Sequence, residues 1–107
     1  MNLPATFLVP LLGLLLAAAS PRTVALSVTE SGFEPGQIAL KQGEPVHLVV
    51  TRKTDNTCAT AILIRDLGIK KALPLGQPVA IDFTPLKSGE VRYTCGMKRI
   101  GGVLLIQ

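Results

Sequence analysis

From residue 23 onward, apolar side chains recur at every second position. Val24, Leu26 and Val28 alternate with Ala25, Ser27 and Thr29, and Ile38 and Leu40 alternate with Ala39 and Lys41. Val46, Leu48 and Val50 leave His47 and Val49 on the other side. Val79, Ile81 and Phe83 alternate with Ala80, Asp82 and Thr84, and Val91 and Tyr93 with Glu90, Arg92 and Thr94. A period of two sends successive side chains to opposite faces of a strand, so each run predicts a strand with one buried face. Residues 58–64 are apolar and partly β-branched, 67–71 form a short extended candidate, and 103–106 follow Gly101-Gly102. Turn signals separate the runs at Ser31-Gly32, Pro35-Gly36, Gln42-Gly43, 74–78 and 85–89, and 52–57 is a polar loop. Seven or eight short strands so spaced predict an all-β fold, an antiparallel sandwich or barrel with Greek-key connections. Its inner faces would be filled by the alternating Val, Leu and Ile positions. No segment carries the 3.6-residue period of a long amphipathic helix.

Residues 3–19 break this pattern. They form an almost unbroken apolar run containing Pro4, Pro10 and Gly13, followed by Ser20, Pro21 and Arg22. Two prolines and the lack of a polar face disfavour a buried core helix. Ala17, Ala18 and Ala19 supply a small-residue cleavage pattern, with cleavage expected after Ala19, as in a secretory signal peptide. No Lys or Arg precedes the run, and its length approaches the lower limit for a spanning helix. The reading is therefore a signal peptide or membrane anchor over residues 1–19, followed by one exported domain over 23–107. No cysteine near the cleavage position supports a lipoprotein.

Lys and Arg number 11 and Asp and Glu 7, giving a formal charge of +4, all of it beyond residue 21. Lys70, Lys71, Lys98 and Arg99 lend basic character suited to solubility, or to docking on an acidic partner or an anionic membrane. The export signal, the scarcity of aromatic side chains and the lack of basic–aromatic interleaving argue against nucleic-acid binding. Two cysteines and one histidine exclude a disulfide-dense miniprotein and a four-ligand Cys/His zinc site. A blue-copper centre needs two histidines with a cysteine and cannot be built from His47 alone. Parity also puts His47 on the outer, solvated face of its strand. Asp55-Asn56 reads as a turn, and no constellation of acid, base and nucleophile is visible, so an enzyme is not expected.

Sulfur remains. Cys95 and Met97 flank Gly96, so in an extended segment they face one side, and glycine lets the backbone bend around a small ion. Cys95 continues the parity of Val91 and Tyr93 and should tip inward at the end of the sandwich. Cys58 follows the polar loop and is expected to begin a strand. Both cysteines stand where strand meets loop, which allows them to meet at one pole. Two thiolates and a thioether suit Cu(I). Two cysteines in a small exported domain equally suit a disulfide, and spacing alone leaves both open.

Glu30-Ser31-Gly32-Phe33-Glu34-Pro35 and Gly43-Glu44-Pro45-Val46 resemble the opening of cupredoxin-like domains. Thr51-Arg52-Lys53-Thr54-Asp55-Asn56-Thr57-Cys58-Ala59-Thr60, the stretch 66–75, and Thr94-Cys95-Gly96-Met97 resemble more specifically the small cupredoxin-like copper-binding domains of bacteria. The resemblance covers about residues 23–106. Such domains occur as exported or membrane-anchored proteins and are linked with copper-transporting P-type ATPases. The resemblance implies a cupredoxin-like sandwich that binds Cu(I) through Cys58, Cys95 and Met97. It implies a role in copper sequestration or transfer, as a copper chaperone in the periplasm or at the outer face of the inner membrane. The partner would be a copper-donating or copper-accepting protein, such as a P-type ATPase. Some members hold a second, weaker Cu(I) with a further methionine two residues on and an acidic residue. Here that position is Arg99, a permanent cation, which leaves Glu34 as the one ligand to nominate for such a site. A non-metal interaction module stapled by a Cys58–Cys95 disulfide, and cupredoxin-type electron transfer, are the alternatives.

Overall fold

The alternating runs become nine strands among the described residues of the computed structural model, which are 21–96 and 100–107. The expected signal peptide or anchor over residues 1–19 falls outside them, as does Met97. The strands are β1 (Arg22–Thr29), β2 (Gly32–Glu34), β3 (Gln37–Leu40), β4 (Val46–Arg52), β5 (Ala61–Ile64), β6 (Ile69–Ala72), β7 (Pro78–Phe83), β8 (Gly89–Thr94) and β9 (Gly101–Ile106). A 3-10 turn, Arg65–Leu67, links β5 to β6 and ends on Gly68, whose φ of 66° requires the left-handed region that glycine enters without strain. Among the described residues no helix is long and apolar enough to cross a membrane.

The strands form a four-stranded sheet in the order β2-β1-β4-β7 and a five-stranded sheet in the order β3-β9-β8-β5-β6. The chain changes sheet after β2, β3, β4, β6 and β7, which interleaves the two layers as a Greek-key sandwich requires. Two features differ from the sequence expectation. The ninth strand, β2, is three residues long and too short to show a period. The sandwich is also not purely antiparallel, because β1 pairs with β4 and β3 with β9 in parallel. Alternation reports which face a residue occupies and says nothing of the direction of its neighbour.

The inner faces follow the alternation closely. Leu26 and Val28 of β1, Val46, Leu48 and Val50 of β4, and Ile81 of β7 are buried from one sheet. Ile38, Leu40, Ile62, Ile64, Tyr93, Leu104 and Ile106 meet them from the other. At roughly 1.5–3 kcal/mol for each large aliphatic side chain removed from water, this layer supplies the main drive for the two sheets to pack. Tyr93 packs edge-on against Phe33, with ring centroids 5.3 Å apart, and lies opposite Gly102 in the β8–β9 ladder.

The outermost strand of the larger sheet, β6, carries Lys70 and Lys71. Lys71 is the register partner of Ile62, whose side chain is in the core, so Lys71 also springs from the inner face, yet it is exposed. At one end of the sandwich β1, β4 and β8 finish and β5, β7 and β9 begin. Both cysteines belong to that end.

Candidate metal centre

Cys95 is the first residue past β8. It keeps the inward parity of Tyr93 and is fully buried in the core cluster. Its backbone N–H donates to the Ile100 carbonyl at 3.1 Å, which fixes the residue against the approach to β9.

Cys58 does not begin a strand as expected: β5 starts three residues later, at Ala61. The reason lies in its hydroxyl-rich surroundings. Thr54 Oγ1 accepts the Asn56 N–H at 3.0 Å, Thr57 Oγ1 accepts the Ala59 N–H at 3.1 Å, and the Cys58 carbonyl accepts the Thr60 N–H at 3.0 Å. Threonine side chains that capture the backbone two residues on hold a chain in turns and away from a sheet ladder. Cys58 is consequently half-buried at the rim, packed against the core beside the wholly buried Ala59.

The two elements bring the thiols together, with Sγ of Cys58 3.7 Å from Sγ of Cys95. At that separation the two sulfurs are immediate neighbours at one pole of the sandwich. Two soft sulfur donors this close fit a soft monovalent ion such as Cu(I).

The other residues singled out from the sequence are distributed as follows. Met97, Lys98 and Arg99 lie outside the described residues. Gly96 has no left-handed φ, and a Cβ there would meet nothing within 4 Å among the described residues, so this backbone conformation does not itself demand glycine. Glu34 is exposed on β2, and its Oε2 accepts a hydrogen bond from Thr29 Oγ1 at 2.9 Å. Among the described residues no three His, Cys, Asp or Glu side chains cluster as a metal site. His47 lies on the outer face of its sheet, its Nδ1 2.5 Å from Oδ1 of its cross-strand partner Asp82. It stands five residues before Arg52 at the cysteine end of β4, roughly 16 Å along the strand, and cannot reach the sulfurs.

One residue at this pole entered the sequence reading only as a member of a polar stretch and of the resembling segment 51–60, with no role of its own. Arg52, the last residue of β4, donates through Nε to the Leu73 carbonyl at 2.7 Å and through Nη1 to the Thr54 carbonyl at 3.2 Å.

Comparison with known proteins gives relatives of the same build. The family model of the cupredoxin-like domain matches residues 4–106. No curated protein sequence matches the chain. Among solved structures, the metal-binding domain of the Cu(I)-exporting P-type ATPase CopA of Streptococcus pneumoniae D39, determined with Cu(I), is 28% identical with a TM-score of 0.75, over 79% of this chain and 84% of that one. A copper-binding protein solved by NMR in its apo form is 29% identical with a TM-score of 0.73, over 79% and 86% of the two chains. Auracyanin A, a blue copper protein of Chloroflexus aurantiacus, is 16% identical with a TM-score of 0.62, over 82% and 100%, and shares the fold alone.

Proposed function

The chain belongs to the cupredoxin-like domain family, and from that premise we propose that it is an extracytoplasmic Cu(I)-binding protein that sequesters copper or passes it to a partner. Its ligands in this reading are Cys58, Cys95 and Met97, and copper is its cargo. The observation that carries the reading is the 3.7 Å approach of the two thiols at the end of the sandwich. Burial supports it, because a soft ion held at the edge of an apolar core is shielded from competing water and hard ligands. The distance of His47 from that end counts against a blue-copper electron-transfer centre.

Transfer would proceed by ligand exchange. Two thiolates and one thioether leave a side open to an incoming sulfur, and the thioether of Met97, the weakest donor, leaves first. Similarity to the metal-binding domain of a Cu(I)-exporting P-type ATPase supports a transport ATPase, or a protein that serves one, as the partner. The apolar run over residues 3–19 supports action in the periplasm or at the outer face of the inner membrane.

Titration of the reduced protein against a competing Cu(I) chelator tests the reading. Cys58→Ser and Cys95→Ser each lose tight binding, by more than the ~10–100-fold typical of a lost outer-shell partner, and Met97→Ala loses less. Equal affinity in the parent and all three variants overturns it. The same thiol separation favours one other reading, an interaction module stapled by a Cys58–Cys95 disulfide. Intact mass of the isolated protein with and without reductant, beside the chelator titration, separates the two.

A further inference from the structure

We infer that Arg52 is the positioning residue of the thiol pair: its guanidinium fork ties the Cys58 loop to the β6–β7 loop and thereby sets Cys58 within reach of Cys95. Cys58 sits in the connection from β4 to β5, which spans the two sheets and has no ladder of its own. Besides the Lys53 N–H, which donates to the Val28 carbonyl of β1 at 2.9 Å, that connection is fastened at both ends through Arg52. Near its start, the Thr54 carbonyl accepts from Arg52 Nη1 at 3.2 Å. Near its finish, the Thr60 carbonyl accepts the Leu73 N–H at 2.9 Å. Leu73 is in turn held by Arg52, whose Nε donates to its carbonyl at 2.7 Å. The loop of Arg52, Thr54, Thr60 and Leu73 is thus closed, with Cys58 on the arc between residues 54 and 60. The Arg52 carbonyl adds a bond from the Gly76 N–H at 2.7 Å, which holds the β6–β7 loop to the end of β4.

The residue type matters. Arginine presents Nε and Nη donors in one rigid plane, so a single side chain can grip carbonyls on two separate segments and fix the angle between them. A lysine ammonium is a point donor on a flexible stem and cannot impose that angle. The Leu73 carbonyl loses its charged donor when the guanidinium is withdrawn, and the segment has reason to shift. The Cys95 side of the pair needs no such device, because β8 and the bond to Ile100 already hold it.

The effect on copper rests on the proposed function above, whereas the effect on thiol geometry does not, and the experiment uses both. The reduced, metal-free full chain is treated with dibromobimane, which fluoresces strongly when it bridges two neighbouring thiols, and Cu(I) affinity is measured separately by chelator competition. Arg52→Met lowers the bridging rate several-fold and the Cu(I) affinity about 10–100-fold, the range for lost outer-shell support. Arg52→Lys recovers only part of each. In a Cys58→Ser background, Arg52→Met leaves the residual affinity within about twofold, because the ligand that it positions is gone. If Arg52→Met is too unstable to assay, Arg52→Lys carries the same comparison. Parent-like bridging and affinity in both arginine variants overturn the inference, as does an equal affinity loss with and without Cys58, which would mark Arg52 as a general stitch between the sheets. A parent that binds no Cu(I), yet bridges its thiols in an Arg52-dependent way, sinks the copper reading and leaves the positioning role standing.

Discussion

Tyr93 shows how a single side chain can be both core and constraint. Its ring is fully buried against Phe33, and its hydroxyl donates to the Pro35 carbonyl at 2.8 Å. Burial disfavours the charged phenolate and pushes its pKa up from 10.0 to about 12. The sign follows from linkage. Because the folded value lies above the unfolded one, the neutral phenol's contribution is complete below pH 10 and is lost as the pH rises through about 12. Alkaline titration should therefore show the tyrosinate absorbance of this sole tyrosine rising together with unfolding by circular dichroism. Tyr93→Phe should lose about 1 kcal/mol at neutral pH, the worth of one hydrogen bond, and be less sensitive between pH 10 and 12. An absorbance rise near pH 10 with the fold intact would contradict this. The inward face of Tyr93, like the outward face of His47, was legible from parity alone. The hydroxyl's partner was not, because Pro35 lies 58 residues away and only the sandwich brings it near.

Strands and the connections between them carry the next layer of specification. The Gly101-Gly102 pair opens β9 because Tyr93 lies across it: a Cβ on Gly102 would run into the Tyr93 phenol and come within 2.6 Å of the Gly36 carbonyl. Gly102→Ala should thus cost on the order of 1–3 kcal/mol, the range for overpacking a filled core, seen as a lower urea midpoint at unchanged m-value. An unshifted midpoint would show that the ring can yield. The sequence marked this glycine pair only as the prelude to a strand, since the clash that demands it belongs to the neighbouring strand. Strand faces were readable in most cases because each has a dry side. The brevity of β2, the parallel partners of β1 and β3, and the turn that keeps Cys58 off β5 were not. These depend on which segments meet and on where threonine hydroxyls capture the backbone.

The sandwich as an architecture was legible because alternating runs broken by glycine and proline have few other ways to bury one face each. The approach of Cys58 and Cys95 was also foreseeable in outline, since both stand where strand gives way to loop. The clamp that fixes their separation was not, because Arg52 acts on two carbonyls that only the folded sheets bring within its reach. One further property belongs to the architecture alone. A sheet of five strands ends in an open rim of amide and carbonyl groups, which invites a foreign strand to join it. Lys71 rises from the inner side of that rim, so any newcomer would have to dehydrate its ammonium. Lys71→Val removes this deterrent, and light scattering of concentrated samples should then report more association than the parent shows. A lysine exposed at the edge of the larger sheet thus works against strand addition there rather than for the core.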